Sequence, residues 1–145
     1  MLLVTTCRDP CVNTRKFAKA LAMLVPGSKG INRGKKSINS LIEDARANGF
    51  RRLAIITEKK GNPTKIEIIK LDKKNWDWAE PIEMKGCVIG NNIFPVESVK
   101  IVGKKKDKIV DLFDVEELNE DAEVTIFADD ELMFKNNGIL LKIKW

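Results

Sequence analysis

Between residues 5 and 22 the sequence reads TTCRDPCVNTRKFAKALA, and two kinds of side chain in it are equipped for chemistry. Cys7 and Cys11, spaced C-x3-C, stand where a helix could begin, and the positive end of a helix dipole can activate a thiolate. Arg8, Arg15 and Lys19 are fixed cations, suited to carboxylate or phosphate. A second basic group follows in RGKKS, with Arg33, Lys35 and Lys36 around Gly34.

Most catalytic schemes fail on what the chain lacks. It has no histidine, so a thiol nucleophile has no customary partner base. General acid–base work would fall to carboxylates, lysine or cysteine. Asp129, Asp130 and Glu131 are adjacent, but they read as a polar turn between strands. A four-ligand zinc site would need Cys7, Cys11, the lone Cys87 and a carboxylate, an unusual set. RGKKS resembles a phosphate-binding loop and fails it: the first glycine is replaced by Lys29, and the Ser or Thr after the lysine by Lys36. The expectation is therefore no enzyme, no cofactor and no metal. An odd cysteine count and a start, MLLVTT, too short and uncharged for a secretory signal point away from disulfides and towards the cytoplasm. No apolar run approaches the ~20 residues that cross a membrane.

What remains is charge. Residues 1–60 hold 13 Lys and Arg against 4 Asp and Glu, and residues 61–145 hold 13 against 17. The excess of +9 in the first part suits a polyanion. The acidic segment FDVEELNEDAE, 113–123, would suit a basic partner.

The elements that must carry these residues read as follows. LLVTT (2–6) is a short buried strand. Asp9-Pro10 reads as an N-cap with proline at the first helical position, and Asn13 is a rival cap. The helix runs to about Val25 and stops at PGS, burying Phe17, Leu21, Leu24 and Val25 at i, i+4, i+7 and i+8. Arg15 and Lys19 then lie roughly 160° from Phe17, on the solvent face. The helix N-terminus beside Arg8 offers free N–H groups to an anion. Ser37 caps a second helix, with Ile38, Leu41, Ile42 and Ala45 inward and Gly49 ending it. RRLAIITE (51–58) and TKIEIIKL (64–71) are strands joined by a turn at KKGNP. KGCVIG, VESVKIVG, IVDLF, EVTIFA, ELMFK and GILLKIKW read as further strands, with a turn at Lys104–Asp107. DVEEL (114–118) reads as one helical turn. Trp76 and Trp78 face the same side if extended and are expected to pack, as are most of the phenylalanines. The fold class is α/β, with a mixed sheet and helices mainly in the first half, in one domain over 1–145.

The stretch TTCRDPCVNTRKFAKALAMLVPGSKGINRGKKS resembles the opening of the Brix-domain family of ribosome-biogenesis proteins. Thr6, Arg8, Pro10, Thr14, Phe17, Pro26, Gly27 and Arg33 fit its pattern. Cys7 and Cys11 stand where serine is usual, and Asn13 where a basic residue is common. The match covers about residues 4–37. The resemblance implies RNA binding, to rRNA or pre-rRNA, during assembly of a ribosomal subunit, with ribosomal proteins or assembly factors as possible partners. It also implies a fold of two halves similar to the anticodon-binding domain of class II aminoacyl-tRNA synthetases, in the compact archaeal form. Arg8, Arg15, Lys19, Arg33, Lys35 and Lys36 are the expected phosphate contacts. The alternative is an adaptor that docks an acidic assembly partner on the same basic face.

Overall fold

A computed structural model describes residues 1–117 and 121–145. The apolar run LLVTT forms β1 (Leu2–Thr6), buried along its whole length. The chain returns through α1 (Val12–Leu24) to the two-residue β2 (Lys29–Gly30), parallel to β1 on its outer side. It then crosses back through α2 (Ile38–Ala47) to β3 (Arg52–Lys59), parallel to β1 on the other side. β4 (Asn62–Leu71) pairs antiparallel with β3, and β5 (Trp76–Trp78) and β6 (Ile82–Glu83) pair with β4. The order is β2-β1-β3-β4-β5, with β6 also on β4.

The second half repeats the plan. β8 (Val99–Val102) leads through α3 (Lys106–Phe113) to β9 (Val124–Ala128), which is parallel to it. β10 (Glu131–Lys135) turns back antiparallel, followed by β11 (Ile139–Lys144), and β7 (Gly86–Ile89) closes the edge. Both halves therefore carry a strand, a helical crossover to a parallel strand and an antiparallel return, the first half with α2 and a further parallel strand added. Gly103, where β8 gives way to α3, has φ +113°, and a Cβ there would lie 2.5 Å from the Ala128 carbonyl oxygen. Only glycine fits so close an approach.

α1 and α3 share one core. Phe17, Leu21 and Leu24 of α1 and Ile109, Leu112 and Phe113 of α3 join the inner residues of both sheets. α2 lies on the opposite face of the first sheet, over Leu3, Leu53, Ile55, Ile69 and Leu71. Full burial of a side chain such as Leu21 is worth about 1.5–3 kcal/mol. The halves are also tied by Arg52, a buried guanidinium that donates from Nε to the Asp111 carbonyl at 3.0 Å and pairs with its carboxylate at 3.4 Å.

The α/β architecture with mixed parallel and antiparallel pairing is as expected, one mixed sheet in each half. Several finer expectations are corrected. IVDLF is no strand but the end of α3, because Ile109, Leu112 and Phe113 sit at i, i+3 and i+4 and all reach the core. The Lys104–Asp107 turn contains the start of that helix. Neither Asp9 nor Asn13 caps α1: the N-cap is Cys11, and Asp9 adopts a left-handed turn at φ +49°. Ser37 does cap α2, accepting from the Ser40 N–H at 3.1 Å. Trp76 and Trp78 do not pack inside; they are exposed on β5, edge to face at 6.1 Å. Residue 118 of the DVEEL turn, like 118–120 of the acidic segment, lies outside the described residues, and Asp114 is the left-handed C-cap of α3.

Candidate nucleic-acid interface

The order β2-β1-β3 has a consequence for binding. The connection through α1 leaves β1 on one face of the sheet, and the connection through α2 returns on the other. The two diverge at the carboxyl ends of the parallel strands, the position where open α/β sheets form a ligand crevice. Arg8 lies two residues beyond β1, Arg33 three beyond β2, and Glu58 one before the last residue of β3.

Arg33 is half-buried and held by two main-chain carbonyls: its Nε donates to Lys36 at 3.0 Å and its Nη1 to Thr6 at 3.4 Å. Burial, and then the like charge of Arg8, lower its pKa, yet a guanidinium remains charged at any physiological pH. Arg8 is thus near enough for its charge to act on Arg33, whose guanidinium is braced by carbonyl oxygens. Gly34, at φ +57° with open space around it, turns the chain so that Lys35 projects into solvent.

The helix N-terminus is not the free anion site the sequence suggests. Glu58 already holds it, with Oε1 accepting from the Cys11 N–H at 2.8 Å and from the Cys7 thiol at 3.6 Å. The Cys11 N–H, and next the Cys11 thiol, draw the Glu58 pKa below its ordinary value. The thiols respond in the opposite sense. Burial and then Glu58 raise Cys7, while the hydrogen bond to Glu58 and its charge raise Cys11. Both sulfurs stay protonated at neutral pH, the reverse of the activation that a helix start alone would produce. Among the described residues, no group of three or more His, Cys, Asp or Glu is placed to hold a metal ion.

The other expected residues sit as follows. Arg15 and Lys19 are exposed on α1, opposite buried Phe17, Leu21 and Leu24. Lys36 is engaged by Asp44, Nζ to Oδ2 at 2.8 Å. Among the described residues Arg8, Arg15, Lys19, Arg33 and Lys35 make no ion pair. The structure thus puts Arg8 and Arg33 at the carboxyl end of the parallel strands, with Lys35 just after Arg33, and leaves Arg15 and Lys19 on the outer side of α1. Sequence reasoning missed Lys59 and Lys60, exposed in the β3–β4 turn at the same end. That turn is pinned to α1 by Asn13 Nδ2 to Asn62 Oδ1 at 3.1 Å, and Gly61 packs near the Cys11 sulfur. Glu58 was missed too, since nothing in the local sequence shows that a strand-end carboxylate will cap a helix 47 residues earlier.

A curated protein of Thermococcus kodakarensis is 37% identical over 93 residues, 64% of this chain and 45% of that protein, and is named a probable Brix domain-containing ribosomal biogenesis protein. A Pyrococcus horikoshii protein of the same name is 37% identical over 86 residues. Among the homologues of this chain are archaeal Brix-domain ribosomal biogenesis proteins. The matched stretch spans less than half the length of these Brix relatives. The U3 small nucleolar ribonucleoprotein protein IMP4 of Bos taurus is 33% identical over 70 residues, 48% of this chain and 24% of its own. No family model matches the chain. The fold is that of a probable ribosomal biogenesis protein of Aeropyrum pernix, with a TM-score of 0.82 at 21% identity over 98% of this chain and 93% of that one. An archaeal Imp4-like protein superposes with a TM-score of 0.76 at 22% identity, covering 99% and 95%. Among the described residues, no helix is long and apolar enough to cross a membrane.

Proposed function

We propose that the chain is a non-catalytic, cytoplasmic RNA-binding factor that contacts pre-rRNA during ribosomal subunit assembly, working as one domain over residues 1–145. The observation that carries this reading is the gathering of Arg8, the carbonyl-braced Arg33, Lys35, Lys59 and Lys60 at the carboxyl end of the parallel strands, where α1 and α2 leave the sheet on opposite faces. Such an array meets backbone phosphates, which fix position without reading sequence. Arg15 and Lys19 extend the contact along α1. The names of the archaeal and U3 relatives, a ribosomal biogenesis protein and a small nucleolar ribonucleoprotein protein, support the ribosome-assembly setting. The protonated thiols and the absence of histidine leave no activated nucleophile at this end.

Binding to structured RNA measured across a salt series tests the proposal. The seven cations named, none ion-paired among the described residues, at ~0.7–0.9 counterion each, give a log–log slope of about −5 to −6. A slope shallower than about −1, or no binding at low salt, sinks the RNA reading. It would favour an adaptor that docks an acidic assembly partner on this face.

A further inference from the structure

The two halves share a plan but are not covered alike. A parallel strand pair is normally buried on both faces, and the β1–β3 pair obeys, with α1 inside and α2 outside. The β8–β9 pair has α3 and the common core on its inner face only. Among the described residues no helix lies over its outer face.

Strand alternation sets what that outer face carries. One row crosses all five strands in register: Val102 opposite Phe127, Phe127 opposite Met133, Met133 opposite Lys142, and Lys142 opposite Val88. A second row runs Lys100, Thr125, Lys135 and Ile139. Lys144 lies beyond Lys142 on the same face. Glu131 is the only acid among the outward strand residues described, and Lys142 already meets it, Nζ to Oε2 at 3.2 Å. Lys135 Nζ stands 5.8 Å from the Phe127 ring centroid, so a cation and an aromatic surface are presented together. A merely solvated face would place threonine, lysine and glutamate along the central row, where four of five residues are apolar here. Val88 is 55% exposed and Ile139 42%.

We infer that this outer face of the second sheet is an additional RNA-binding surface, which takes a single-stranded segment. This rests on the RNA reading of the first half. The charge is complementary to phosphate: among the described residues the acids here are Glu131, paired with Lys142, and Glu117 at the β8 edge, within reach of Lys100. The apolar row suits the faces of unpaired bases, which stack on aromatic and apolar side chains; the stacked bases of a duplex offer no such faces. Four strand spacings make the row about 19 Å long, room for several nucleotides of extended strand.

Fluorescence anisotropy with a labelled oligouridylate tests this, on the full chain. Lys135→Glu combined with Lys144→Glu should weaken binding at least tenfold and flatten the salt slope by about 1.4, two contacts at ~0.7 each for a single strand. Phe127→Leu keeps apolar bulk but removes the ring, and should weaken binding about fivefold, the lower end of stacking contributions, with the slope unchanged. Thermal melting of each variant separates these losses from unfolding. If both variants bind oligouridylate as the parent does while Arg15→Glu with Lys19→Glu does not, the outer face is no RNA surface and the first-half reading stands. If every variant binds as the parent does, both readings fall. If the lysine variant keeps RNA affinity but loses an acidic ribosomal protein, the face is a protein dock and the inference is overturned.

Discussion

Reversing Arg15 and Lys19 together isolates the contribution of α1. Both side chains are exposed, neither makes an ion pair among the described residues, and both lie opposite the buried Phe17, Leu21 and Leu24. Stability should therefore change by no more than about 0.5 kcal/mol, the usual range for a surface position. The binding effect follows from counterion release. Two lost phosphate contacts remove about 1.4–1.8 from the log–log slope. At about 0.15 M salt, where log(1/[salt]) is about 0.8, that slope corresponds to roughly a fifteen- to thirtyfold loss of affinity. Charge repulsion by the new carboxylates makes this a lower bound. The loss should be the same on unrelated RNA sequences, because phosphates carry no base identity. The assay is anisotropy or filter binding of parent and variant over a salt series, with thermal melting alongside. An unchanged slope with an unchanged melting temperature would refute the reasoning and leave this face a solvated surface.

Glu58→Gln should lower the melting temperature at neutral pH and tighten RNA binding, since it removes the anion at the α1 N-terminus and a negative charge at the same end of the sheet as Arg8 and Arg33. The folded Glu58 pKa lies below its ordinary value, so its stabilisation is full above the unfolded pKa of about 4.3 and fades as pH falls through the folded value; the gap between parent and variant should close in acid, and a pH-independent gap would contradict this. Cys7→Ser and Cys11→Ser should leave RNA affinity unchanged, and in the parent protein iodoacetamide should label exposed Cys11 more slowly than free cysteine at neutral pH. Faster labelling would show an activated thiolate. Phe17→Ala should cost about 3–5 kcal/mol in urea unfolding, because the ring is wholly buried between the sheet and the shared core; a loss under about 1 kcal/mol would mean the site collapses without a cavity.

Elements governed by local pattern were legible in the sequence. The buried runs of β1, β3 and β4, the Ser37 cap and the Phe17, Leu21, Leu24 stripe rest on periods of two and 3.6, and on a hydroxyl that bonds three residues along. The same holds for Arg15 and Lys19 on the outer side of α1, since a helix fixes that angle from spacing alone. IVDLF was misread because five residues satisfy either period; the shared core, which needs Ile109, Leu112 and Phe113 on one side, decides for the helix. The −4 balance of residues 61–145 hides a basic surface, because alternation sends Lys100, Lys135, Lys142 and Lys144 to one face and most acids to turns and edges. Only strand register shows that sorting. Glu58 at the start of α1, and Arg8 beside Arg33, join residues 47 and 25 positions apart. Sequence sets which charges exist and which helix face they share, but distance in space depends on which strands pair. That choice is made by burial across the whole chain.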